Sequence, residues 1–167
     1  MANDLSSLMN ALSGGTAVER REAAEVLAHG ESESASAALA LLKALRDEDD
    51  EVRDWAVAAL EAIGAPAEHQ AAEVAKLLED ESADVAYWAA TLLGRLQRAG
   101  APFASAVAKA LATRSEVQVR RRAVWALAKI GASSSDVLAA LKQAAADGDQ
   151  PLARVAGEAL RTLSPQA

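Results

Sequence analysis

Apolar and polar positions alternate along the chain with a spacing that returns five times. It is clearest from Val52 to Gly64, V-R-D-W-A-V-A-A-L-E-A-I-G, where Val52, Ala56, Ala59, Leu60 and Ile63 fall on one stripe of a helix. An alanine followed four residues later by a leucine recurs as Ala23/Leu27, Ala56/Leu60, Ala89/Leu93, Ala123/Leu127 and Ala156/Leu160, at intervals of 33, 33, 34 and 33 residues. A second helix precedes each of these and keeps the same phase. Leu8, Leu41 and Val74 are 33 residues apart, as are Leu12, Leu45 and Leu78. Each stripe can be covered only by neighbouring units, which is how a repeat array holds itself together. The pattern therefore predicts an all-α fold, an α-α superhelix (right-handed solenoid) of five helix pairs A and B. The repeats span approximately 1–30, 31–64, 65–100, 101–131 and 132–167, in a single domain without a linker.

The punctuation agrees. Ser13-Gly14-Gly15 breaks the first helix, and Thr16 stands three residues before Glu19 in a capping-box arrangement. Gly30, Gly64 and Gly131 are placed to close B helices. The second repeat opens at Ser32–Ser36 and turns at Asp47 to Glu51; the third carries Pro66 where a first helical turn tolerates proline. Further turns fall at Asp80-Glu81-Ser82 and Asp147-Gly148-Asp149, and Phe103 is expected in the core.

The run Asp-x-x-x-x-Val-Arg-x-x-Ala-x-x-Ala-Leu-x-x-Ile-Gly, carried by Asp47, Val52, Arg53, Ala56, Ala59, Leu60, Ile63 and Gly64, resembles a HEAT repeat. The likeness is to the short bacterial type named after phycobilisome bilin lyases, and it covers nearly the whole chain. It implies a ladder of aspartate and arginine tying adjacent repeats together. Read repeat by repeat, the ladder is broken: Asp80 and Asp147 are followed by Ala86 and Ala153, while Arg20 and Arg120 are preceded by Gly14 and Arg114. Arg114 is thus expected to be available for other contacts. The resemblance specifies fold far more closely than function.

Composition narrows the function classes. The 44 alanines among 167 residues favour helices that approach closely. There is no cysteine, which removes disulfides, thiol chemistry and cysteine-based zinc sites. No apolar run is long enough to span a bilayer, and no signal peptide is visible, so a soluble cytoplasmic protein with no membrane partner is expected. The net charge of −7 is unevenly spread: residues 1–84 hold 19 acidic and 6 basic side chains, residues 85–167 hold 5 and 11. That polarity suits an acidic partner on the C-terminal half, or head-to-tail self-association.

In this repeat type the B helices line the concave face. Beside the buried stripe of each lies a second stripe, at positions 54, 55, 58 and 62 and their equivalents. Four of the five aromatics fall on these 20 positions, together with six basic and four acidic residues. Aromatics and arginine are the types enriched where interfaces gain most of their energy. The candidate binding surface is therefore Trp55, Tyr87, Trp88, Arg95, Arg121, Arg122, Trp125 and Lys129. Trp55 and Trp88 adjoin buried alanines, so core filling is the competing role for both.

Catalytic and metal chemistry is poorly represented. The two histidines, His29 and His69, lie on different repeats, and iron-binding HEAT hydroxylases carry repeated His-Glu dipeptides that this chain lacks. The acidic run Asp47 to Glu51 lacks the glycine an EF-hand loop needs at its sixth position, and no phosphate-cradling glycine loop appears. No catalytic residues, cofactor or metal are expected. The residues point to a non-enzymatic scaffold that binds a protein segment or peptide on its B-helix surface, an acidic one suiting the charge of the C-terminal half. The alternatives are nucleic-acid binding in the manner of HEAT-like DNA-repair glycosylases, with Asp54 as the carboxylate, or a pigment-chaperone subunit like the bilin lyases. Net charge argues against nucleic acid, since phosphate contacts dominate such affinity.

Overall fold

In the computed structural model, which describes residues 4–30 and 32–164, ten α-helices account for the repeats and no strand occurs among the described residues. The outermost ends of the expected first and last repeats, 1–3 and 165–167, lie outside the described residues, as does residue 31 between the first two repeats. The A helices are α1 (Leu5–Gly14), α3 (Ala38–Ala44), α5 (Ala71–Lys76), α7 (Ala104–Thr113) and α9 (Ser135–Ala145). The B helices are α2 (Ala17–His29), α4 (Asp50–Ala62), α6 (Ala83–Arg95), α8 (Val117–Ile130) and α10 (Gln150–Leu163). The protein is an all-α repeat solenoid.

Contacts group the helices into two compact units, residues 1–70 and 71–167. In the first, α2 packs on α4 and α1 on α3; in the second, α6 packs on α8, α8 on α10, and α7 on α9. Each unit is thus a layer of A helices against a layer of B helices. The A-helix residues Leu8, Leu12, Leu41, Leu45, Val74 and Leu78 are all buried, as are Val52, Ala56, Ala59, Leu60 and Ile63 on α4. The alanines between B helices let their backbones come close, and the leucines fill the space between layers.

Several helix ends follow from named side chains. Thr16 and Glu19 form the expected capping box, with Glu19 accepting from the Thr16 backbone N–H at 2.7 Å. Gly131 ends α8 in the left-handed conformation at φ 75°, which a glycine adopts without strain. Gly30 does not need that freedom, because it caps α2 in extended backbone. Pro66 precedes any helix: the third repeat begins with a 3-10 turn at Glu68–Gln70. The connecting segment is held instead by the second repeat, through Ala67 N–H to the Ala35 carbonyl at 3.3 Å and the Gln70 side-chain amide to the Ser36 carbonyl at 2.8 Å. This is why the first unit extends to residue 70. Phe103, expected in the core, is only half-buried, at the end of a 3-10 segment Gln97–Phe103 that precedes α7.

The charged ladder runs between repeats, and that corrects the pattern read within them. Arg20 at the start of α2 reaches the turn of the next repeat, donating to both Asp47 oxygens at 2.7 and 2.8 Å. Its neighbour Arg21 pairs with Asp49 at 3.3 Å and Glu51 at 3.0 Å. The same unit recurs between α8 and the turn before α10, where Arg120 meets Asp147 at 2.7 Å and Arg121 meets Asp149 at 2.7 Å. In both turns the first aspartate also accepts from the backbone N–H of the second, and the second caps the following helix. Arg114 is not available: it donates to the Asp80 carbonyl at 2.6 Å and pairs with Glu116 at 2.9 Å. It occupies the place of the acid, so the rung is replaced by a local pair.

The Arg20 guanidinium holds the Asp47 carboxyl below its ordinary value. The Asp149 backbone N–H, followed by Arg120, does the same for Asp147, and Arg121 for Asp149. A carboxyl held low in the fold contributes stability that is present above its unfolded pKa and is lost as pH falls through the lower folded value. Thermal unfolding measured from pH 7 to pH 3 should therefore show a falling Tm below about pH 4. An Arg20→Ala, Arg120→Ala variant should start lower and fall less steeply. Identical pH profiles for variant and wild type would mean the rungs add nothing to stability.

Candidate binding surface

In the second unit, α6 is started by Ser82, whose hydroxyl accepts the Val85 N–H at 3.4 Å, while Asp80 fixes the turn by accepting from the Ser82 N–H at 2.9 Å. Its buried face, Val85, Ala86, Ala89, Ala90, Leu92 and Leu93, sets the rotation of the helix. Tyr87 is left half-buried at the edge. On α8 the buried residues Val119, Ala123, Val124, Ala126, Leu127 and Ile130 leave Arg122 and Trp125 half-buried and Lys129 exposed.

These positions bring the side chains into one chain of contacts. The Arg95 guanidinium lies 5.7 Å from the Trp88 ring centre, and Trp88 meets Tyr87 edge-on at 5.8 Å. Arg122 lies over Tyr87 at 4.4 Å, donates to the Tyr87 hydroxyl, and lies 5.0 Å from the Trp125 ring. Lys129 closes the chain at 6.0 Å from the same ring. Rings and cations alternate because the electron-rich ring face attracts a cation, by about 0.5–1 kcal/mol at exposed sites and more when desolvated. Long side chains that would otherwise wander are held in place, so less entropy is lost when they meet a ligand.

The structure does not treat the eight candidate residues alike. Trp88 is a core residue with 8% of its surface exposed; its ring supports Tyr87 and Arg95 from below. Arg121 is spent on the rung to Asp149, though 41% of its side chain remains accessible. Trp55 lies in the other unit, half-buried, 5.4 Å from the His29 ring, and lines a shallow 360 Å³ depression with Glu51, Asp54 and Ala58. Arg95, Tyr87, Arg122, Trp125 and Lys129 are brought together, Arg95 and Tyr87 against Trp88 and the others through Tyr87 and Trp125. Within α8, no acidic residue interrupts Arg120, Arg121, Arg122 and Lys129. Rungs hold the first two, and among the described residues Arg122 and Lys129 form no ion pair; their contacts are with Tyr87 and Trp125. The second unit carries 12 basic and 10 acidic side chains; the first carries 5 and 14. No group of three metal-capable side chains occurs among the described residues, and no helix there is long and apolar enough to cross a membrane.

One residue that shapes this surface is absent from the stripe. Gly94 lies inside α6, where a Cβ would sit 2.5 Å from Cζ3 of Trp125 and 2.9 Å from the Ala126 Cα. Its single hydrogen lets α8 approach and gives the Trp125 ring a bed on α6. The signal was a lone glycine within an otherwise helical pattern, which costs ~1 kcal/mol against alanine and so asks for a packing reason.

The HEAT-repeat family model matches residues 5–75 and 71–161, and the chain belongs to that family. Comparison with curated proteins gives no match. Among solved structures, the chain is similar to a designed armadillo repeat protein in complex with the peptide (KR)4, at 23% identity and a TM-score of 0.66, covering 98% of this chain and 83% of that one. It is also similar to the complex of CpcE and CpcF of phycocyanin lyase from Nostoc sp. PCC7120, at 22% identity and a TM-score of 0.64, over 97% of this chain and 65% of that one. Computationally designed armadillo repeat proteins for modular peptide recognition align at 24% identity and a TM-score of 0.63, over 98% and 83%. At these identities the likeness is one of fold.

Alanine at position 94 would gain ~1 kcal/mol of helix propensity but meet backbone and ring, and overpacking of that kind costs about 1–3 kcal/mol. With an approach of 2.5 Å the clash should win. Gly94→Ala is expected to lower the urea midpoint and red-shift tryptophan emission as Trp125 is pushed toward solvent. A variant as stable as wild type, with unchanged emission, would show that the fit at Gly94 is looser than the geometry says.

Proposed function

We propose that this HEAT-repeat protein is a non-enzymatic interaction scaffold whose second unit captures an acidic peptide segment on its B-helix layer. The observation that carries the reading is Arg122, placed over both the Tyr87 and Trp125 rings with Lys129 near the same Trp125 ring. One Nη of the guanidinium donates to the Tyr87 hydroxyl, and the other N–H groups remain for a carboxylate, a charge-assisted bond in which arginine is strong. The rings supply apolar contact beside the charge, as interface anchors do. The similar designed armadillo protein is in complex with a cationic (KR)4 peptide. Here the side chains presented by α8 are themselves cationic, which calls for a partner of opposite charge. The similar solved structures include armadillo proteins designed for modular peptide recognition and the CpcE–CpcF complex of phycocyanin lyase, and an interaction role fits both.

Fluorescence anisotropy with a labelled glutamate-rich peptide tests the reading, with a lysine-rich peptide and a single-stranded oligonucleotide as controls. The acidic peptide should bind the wild type with salt-sensitive affinity. Arg122→Glu or Trp125→Ala should weaken it about 30-fold, the scale of a hot-spot loss of ~2 kcal/mol. Circular dichroism should show both variants folded. Equal or tighter binding of the lysine peptide or the oligonucleotide would overturn the assignment.

A further inference from the structure

We infer that the acidic segment is an extended, proline-containing one whose carboxylates recur every third residue; this rests on the function just proposed. Arg122 and Lys129 are seven residues apart on α8, two helical turns, so they lie on the same side of the helix about 10.5 Å apart along its axis. Both lie within reach of the Trp125 ring, at 5.0 and 6.0 Å from its centre, which biases them toward this arrangement. The ring thus lies between the two cations. A ligand that satisfies both must present two anionic groups roughly 10 Å apart on one side.

Few peptide conformations do this. In a β-strand, residues three apart project to opposite sides; two apart lie only about 6.6 Å from each other, and four apart overshoot at about 13 Å. A polyproline II segment has three residues per turn and advances about 3.1 Å per residue, so residues i and i+3 face the same way about 9.3 Å apart. Proline between them holds that conformation in advance, and aromatic-lined surfaces suit such segments. The spacing that fits is Glu-Pro-Xaa-Glu, one carboxylate on Arg122 and the other on Lys129, with the proline turned away and holding the backbone extended across Trp125.

Three labelled peptides of identical composition provide the test, with two glutamates in a proline-rich background placed one, three or five residues apart. A fourth, helix-forming peptide carries them seven apart. Each is titrated against wild type, Arg122→Gln and Lys129→Gln, all verified as folded by circular dichroism. The three-residue spacing should bind at least fivefold tighter than the others. Replacing one of its glutamates by glutamine should remove sensitivity to one cation and keep sensitivity to the other. If all four acidic peptides bind equally and all lose affinity in Arg122→Gln, the capture of acidic segments stands and the spacing is wrong. Tightest binding by the helical peptide overturns the extended form. No binding of any acidic peptide to the folded wild type overturns both the spacing and the function it rests on.

Discussion

The rung from an arginine at the start of one B helix to an aspartate in the next repeat's turn is the constraint on which the rest depends. Apolar stripes bring neighbouring helices together but are tolerant of sliding, since leucine and alanine pack acceptably in more than one register. The Arg20–Asp47 and Arg120–Asp147 bonds are directional, and the same aspartates fix the turns that cap α4 and α10. Each rung therefore couples the spacing of two repeats to the rotation of the following helix. The surface on α6 and α8 lies where no rung is made among the described residues: there Arg114 holds the turn locally and Gly94 lets α8 approach α6, while the rung to Asp147 ties α8 to the repeat that follows. On that surface Arg122 of α8 lies 4.4 Å from the Tyr87 ring of α6, a contact that exists only because the two helices pack together.

Helix register, layer order and family were legible in the sequence because they are carried by periodicity. Leu8, Leu41 and Val74 announce one phase, and all three are buried. The ladder was equally present but paired at the wrong offset: Arg20 and Arg120 each find their acid 27 residues on, in the following repeat. Read that way, Ala86 and Arg114 depart together, so the site that lost its arginine also lost its acid. The B-helix stripe located the aromatic residues but could not rank them. Trp88 is buried while Trp125 is half-buried, and the seat of the Trp125 ring on α6 depends on Gly94, a position outside the stripe. Pairing of Arg121 with Asp149 depends on a turn geometry that hydrophobic spacing does not report.

The two units use one architecture with opposite surface chemistry. Both have paired arginines reaching an Asp-x-Asp turn, and both place a tryptophan beside a buried alanine of a B helix. Around Trp55 the neighbours are Glu51 and Asp54; around Trp125 they are Arg122 and Lys129. The scaffold's interior thus leaves the outward charge free to vary, which is the property that lets repeat proteins acquire different partners without relearning how to fold.

Because every rung is divided between two repeats, a repeat is not the smallest exchangeable piece of this chain. Its own B helix carries the arginine half of one rung and its own turn carries the aspartate half of another. Duplication, deletion or recombination at repeat boundaries preserves the ladder only where the two halves brought together are complementary. The α2 end with Arg20-Arg21 and the turn Asp147-Gly148-Asp149 are such a pair, although they belong to different units. The junction of Ala86 with Arg114 is a different dialect: grafting either half beside an ordinary repeat would leave an aspartate without its arginine or set two arginines together. Compatibility between adjoining halves therefore limits which rearrangements of the array remain foldable.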